Sequence, residues 1–266
     1  MFDFLQYSFV VRGLEAGIII ALIAPLIGMF LVLRRYSLIA DTLSHVSFAG
    51  VAIGLLVGLN PIWTAIGTSV VSSVAIERLR NSRRIYGESA LSLFLSGSLA
   101  VAIVLISAYH GFNVNLSSYL FGSILTVRDS DVITILVTCL IVAMLIFSLY
   151  KELVFISFDE EAAQVSGIPV RFINTVFIML AAVVVALAIP IVGILLVSAL
   201  VVIPVLTALQ FRQSFQKSIV IAEIFSLLAV ILGVIVSFYL NISTGGTIVL
   251  IALLFFVISL LLNKKT

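Results

Sequence analysis

Long apolar stretches alternate with short polar connections along almost the whole chain. The runs at 17–33, 132–150 and 247–262 contain no charged residue. A helix needs about 20 mostly apolar residues to cross a bilayer core of roughly 30 Å. A transmembrane barrel would alternate apolar and polar positions over about ten residues, and continuous runs exclude it. The pattern predicts nine spans, at 13–33, 39–58, 61–79, 88–108, 131–150, 172–190, 193–209, 218–240 and 246–262. The span at 193–209 is short and follows Pro190 closely, so a broken or re-entrant helix with eight full crossings is the alternative. The expected class is all-α and polytopic, with residues 1–266 forming one transmembrane domain.

Two connections exceed what a hairpin needs. In the first, 116–127 (LSSYLFGSILTV) is too short to cross and reads as a helix that lies at the interface or dips into the protein. The second, about 151–171, contains SFDEEAAQVSGIP, with its helix expected at about 157–170. Ser157 and Glu160 match an S-x-x-E capping box, and three acids fall where a helix starts, which suits its positive end. Gly167 supplies a stop and Pro169 prevents continuation. The expected product is a short amphipathic helix of roughly 12 Å.

Composition strengthens the membrane assignment. The chain is 63% hydrophobic and 10% charged, against about 45–50% and about 25% in soluble domains. Residues 1–11 carry Asp3 and no base, the wrong polarity for a cleaved signal peptide, so the first apolar run is expected to stay as a membrane helix. Cys139 is the single cysteine and lies in an apolar run, so disulfides are not expected. A net charge of +2 with scattered bases points away from nucleic acid. Lys and Arg concentrate in cytoplasmic loops. Placing the amino terminus outside and the carboxy terminus inside puts twelve of the fourteen bases in the cytoplasm, leaving only Arg12 and Arg128 outside.

The main polar feature is IADTLSHVSFAG, on the second span. Asp41 and His45 are four residues apart and share a helical face, with Ser44 beside them. Ionisable groups at membrane depth are costly and face a cavity or a partner. A carboxylate with an imidazole suits a borderline divalent cation such as zinc or manganese. A purely structural interhelical bond is the competing reading. Gly50, Gly54 and Gly58 form a stripe with one glycine per turn, a pattern that lets helices approach closely. Packing is its expected role, which makes the Asp41/His45 helix buried in protein.

Glu15, Glu88 and Glu223 also fall in or near spans, and Glu223 is expected to pair with a helix neighbour. His110 reads as a solvated loop residue. Pro190 and Pro204 are expected to break helices. No G-x-x-x-x-G-K-[ST] loop is present, so ATP cannot bind by that route. No H-E-x-x-H motif or nucleophile elbow marks a hydrolase.

Four segments occur in one family's order: ADTLSHVSFAGVAIG (40–54), SYLFGSILTV (118–127), FDEEAAQVSGIPV (158–170) and VGILLVSALVVIPVLTA (192–208). They resemble the permease subunits of bacterial ABC-type zinc and manganese importers, over nearly the whole chain. The DTLSH form looks more like the zinc-uptake members. The resemblance implies a fold similar to that of vitamin B12 and siderophore importer permeases, and a pathway made by two permease copies. It implies two cytoplasmic ATPase subunits, an extracellular metal-binding protein, and no enzymatic activity or stably bound cofactor in this chain. It matches Asp41 and His45 to the metal-coordinating gate and 158–170 to the coupling segment. On a short capped helix, Glu160, Glu161, Ala162, Ala163 and Gly167 would then offer a charged and a close-packing face to the ATPase. A stand-alone ion-coupled metal carrier and an intramembrane enzyme remain the competing readings.

Overall fold

The computed structural model describes residues 6–82, 86–108, 116–123 and 127–263. Their regular structure is entirely helical, because in hydrocarbon a segment must satisfy its own backbone groups. The order is α1 (Ser8–Leu33), α2 (Ser37–Val57), α3 (Pro61–Asn81), α4 (Gly87–Ala108), α5 (Leu116–Phe121) and α6 (Asp129–Ser148). There follow α7 (Tyr150–Phe158), α8 (Glu160–Val165), α9 (Val170–Val192), α10 (Val197–Leu209), α11 (Phe215–Leu240) and α12 (Thr244–Asn263).

Local chemistry sets several ends. Gly58, with φ +75°, closes α2 in the left-handed conformation. Asn60 accepts from the amide of Ile62 at 2.9 Å, and Pro61 occupies the first position of α3.

Helices α1, α2 and α9 form the centre, with 72%, 72% and 78% of their most apolar stretches buried. Helix α4, at 17%, and α6, at 28%, lie at the periphery. Phe30 near the end of α1 packs against Phe177, Tyr150 and Phe215. These contacts bring the end of α1 together with α7, α9 and the start of α11. Arg12 and Asp129, 3.1 Å apart, join the start of α1 to the start of α6 at the other end.

The expected nine spans are corrected. Seven helices among the described residues are long and apolar enough to cross a membrane. Helix α3 has 21 residues, but Glu77, Arg78, Arg80 and a row of hydroxyls lower its apolarity. Helix α10 has only 13 residues, about 20 Å. The proline expectation also changes. Helix α9 continues through Pro190 and stops at Gly193, whose φ is +85°, and α10 continues through Pro204.

The short α5 packs against α9 and α12, with Phe121 exposed; residues 124–126 lie outside the described residues. Its end meets the linker after α9. Ser123 donates its amide to Pro190 at 3.1 Å, and Ile194 donates to Tyr119 at 2.9 Å. The Ser243 hydroxyl donates to the Phe121 carbonyl at 3.0 Å. Glycine is required where these backbones touch. A Cβ on Gly122 would collide with the carbonyl of Ile191, on Gly193 with the amide of Gly122, and on Gly245 with the carbonyl of Val192.

Candidate functional site

Asp41 and His45 sit in the first half of α2, separated by one turn. His45 Nε2 and Asp41 Oδ1 are 4.0 Å apart, too far for a hydrogen bond. Metal bonds to such donors are about 2.1 Å long, so donors up to about 4.2 Å apart can share an ion. The Asp41 side chain is 36% exposed and that of His45 is 12% exposed. The pair therefore opens onto the surface of the single chain. His45 Nδ1 is buried with no hydrogen-bond partner among the described residues. Ser198, in the first turn of α10, donates to Asp41 Oδ1 at 3.4 Å. Ser44 bonds back to the Asp41 carbonyl at 2.7 Å and is fully buried, so its hydroxyl stays within its own helix. Among the described residues, no group of three or more His, Cys, Asp and Glu side chains is placed to hold a metal. One chain thus offers two donors from this set.

The glycine stripe works by packing, as expected for two of its three members. A Cβ on Gly50 would meet Thr68 Oγ1 and lie 2.7 Å from the Cα of Ala65, and one on Gly54 would meet Thr64 Oγ1. Ser47 and Ser69 share a buried hydrogen bond of 2.5 Å between the same helices. Gly58 differs, because it caps α2 and a Cβ there would meet nothing within 4 Å.

The segment at 157–170 is helical on both sides of a break at Asp159. Asp159, not Ser157, caps α8, accepting from the Ala162 amide at 2.8 Å. Ser157 lies inside α7 and bonds to the Leu153 carbonyl at 2.6 Å. Its preceding residues already form a helix, so its hydroxyl finds a carbonyl rather than a free amide. Helix α8 has six residues, and Gly167 follows with φ +85°. Glu160, Glu161 and Gly167 are exposed and Ala162 is half-buried. Ala163 is fully buried, which removes it from an exposed docking face.

Glu15 and Glu88 are exposed, while Glu223 is half-buried. His110 lies outside the described residues. Sequence reasoning missed Glu77, which is 1% exposed, 3.4 Å from Arg80, and accepts from Asn81 at 3.0 Å. It passed unnoticed because Arg78 and Arg80 beside it read as an ordinary polar helix end. Arg34, Tyr36 and Asn174 complete the same cluster. Burial lowers the Arg34 pKa and raises that of Tyr36, whose phenol stays neutral.

A many-helix bundle whose ionisable pair opens at the surface of a buried helix, with no nucleotide loop, has the form of a membrane permease. The ABC 3 transport family matches residues 6–263, and the chain belongs to that family. It is a non-catalytic transport component. A Treponema pallidum protein named "Probable metal transport system membrane protein" is 37% identical over 98% of this chain and 97% of its own. The manganese transport system membrane protein MntC of Listeria monocytogenes is 32% identical over 98% and 93%. The solved structure of PsaBC from Streptococcus pneumoniae in complex with Fab superposes with a TM-score of 0.87. It is 31% identical, covering 97% of this chain and 93% of that one. The expected fold is corrected accordingly: the architecture is the ABC 3 fold seen in PsaBC, not that of the vitamin B12 and siderophore permeases. The chain is a multi-pass bacterial membrane protein.

Proposed function

We propose that this chain is the transmembrane subunit of an ATP-driven importer of divalent metal, working as two copies with two ATPase subunits and an extracellular metal-binding protein. The observation that carries the reading is the Asp41–His45 pair, half-open at 4.0 Å on a helix otherwise pressed into protein. Two copies facing one another would supply two carboxylates and two imidazoles. That shell replaces part of the ion's hydration yet remains built from weak, exchangeable ligands. The imidazole must be neutral to ligate, so protons compete with the metal and binding falls as pH falls.

The amino terminus lies outside and the carboxy terminus in the cytoplasm, because the positive-inside bias favours that orientation. Glu160, Glu161, Ala162 and Gly167 then form the ATPase-facing surface, with Ala163 packing beneath them. The cargo is manganese, a reading supported by the name of the Listeria relative. Zinc is the second reading, supported by the DTLSH form of the gate motif.

Uptake into proteoliposomes holding permease, ATPase and binding protein tests this, with manganese and zinc in competition. ATP-dependent uptake that falls at least tenfold in Asp41→Asn, with ATP hydrolysis and assembly retained, is expected. Asparagine keeps the shape and removes the charge that offsets the cation's dehydration. Normal uptake in both Asp41→Asn and His45→Ala at limiting metal would place the gate elsewhere. Uptake driven by a proton gradient without the ATPase would favour a stand-alone carrier.

A further inference from the structure

Polar side chains from several elements close on one another at the end where α1 finishes and α9 begins. Arg34, between α1 and α2, donates to Asn174 Oδ1 on the second turn of α9. Its guanidinium lies 5.1 Å from the centre of the Tyr36 ring. Arg80, near the end of α3, donates to the Tyr36 hydroxyl and sits 3.9 Å over the same ring. Glu77 holds Arg80 from below at 3.4 Å. Gly87, the first residue of α4, leaves room for the Arg80 stem, since a Cβ there would lie 2.9 Å from Cγ.

Such a cluster is a poor way to gain stability, because desolvating charges offsets most of their attraction. Its position suggests another use. Tyr36 immediately precedes α2, and Asp41 follows five residues later. Asn174 lies five residues after Pro169, the residue that caps α9 and follows α8 through Gly167. The Ile168 amide donates back to Ala163 at 3.2 Å, which ties that connection to α8. The cluster is also incompletely paired. Arg34 Nη1 is buried with no hydrogen-bond partner among the described residues. This unfilled donor leaves the cluster one pairing short, so its contacts can be exchanged as well as kept.

We propose that Arg34, Tyr36, Glu77, Arg80 and Asn174 form a relay that carries movement of α8 and the start of α9 to the first turn of α2, and so to Asp41. These are positioning residues; none touches the metal. The inference rests on the importer reading above, since it assigns α8 to the ATPase and Asp41 to the ion.

The test uses the complete complex in proteoliposomes, with manganese as the probe, and measures ions moved per ATP hydrolysed. Tyr36→Phe keeps the ring beneath both guanidiniums and removes only the hydroxyl. Asn174→Ala removes the Arg34 acceptor. Assembled complexes of both should hydrolyse ATP and bind manganese, while ions moved per ATP fall about threefold in Tyr36→Phe and about tenfold in Asn174→Ala. A merely structural cluster would lower the yield of complex and leave this ratio unchanged. An unchanged ratio in Tyr36→Phe overturns the relay, including where Asn174→Ala does not assemble. A wild-type complex that moves neither manganese nor zinc with ATP overturns the importer reading and the relay with it. Transport by the wild type with unchanged ratios in the variants overturns the relay alone.

Discussion

The two ends of the bundle are held together by different means. At one end, Arg34, Tyr36, Glu77, Arg80 and Asn174 meet through long side chains and directional polar contacts. At the other, residues 119–123, 190–195 and 243–245 meet backbone to backbone, with glycine wherever a Cβ would collide. Side chains that turn through several torsions can exchange partners without moving the main chain far. A seam of peptide groups in contact cannot. The glycine seam is therefore the stiffer closure, and the polar end the part whose contacts can be exchanged at less cost.

Substitutions can break this contrast, and the largest effect belongs to the seam. Gly193→Ala adds a left-handed strain at φ +85° to a collision with the Gly122 backbone. A loss of at least about 4 kcal/mol is expected, read as loss of monodisperse protein in detergent and a collapsed Tm. A wild-type Tm would show that the seam can open. Glu77→Gln comes second. It keeps the Asn81 contact and leaves Arg80 facing a neutral amide, for a cost of about 2 kcal/mol. Thermal melting should detect it, and restoring the balance with Arg80→Gln in the double variant should recover part of the loss. The smallest effect is expected for Gly167→Ala. Its φ is also +85°, but a Cβ there meets nothing within 4 Å. Only backbone strain remains, about 1 kcal/mol, so Tm should change little. A collapse like that of Gly193→Ala would mean that strain, not the close backbone approach, governs both sites.

The legible parts of the molecule were those encoded locally. Uninterrupted apolar runs marked the long helices, and four-residue spacing put Asp41 and His45 on one face. The close packing of Gly50 and Gly54 also followed from their period. What sequence could not reveal were partners brought in from afar. Ser198 reaches Asp41 from 157 positions away, and Asn174 reaches Arg34 from 140. Glu77 stood among bases that made it look solvated. The cap at 157–160 moved to Asp159 because α7 extends further than its polar start suggested. The break near Pro190 moved to Gly193 because a backbone crossing, not the missing proline amide, sets the helix end there.

The seam also bears on the order of synthesis. Its three strips of backbone are supplied at different times as the chain leaves the ribosome: Phe121 early, Val192 later, and Gly245 only when α12 begins. Until α12 arrives, the carbonyls of Phe121 and Val192 lack the backbone that covers them. Helix α12 therefore closes over backbone that two earlier parts of the chain have already supplied.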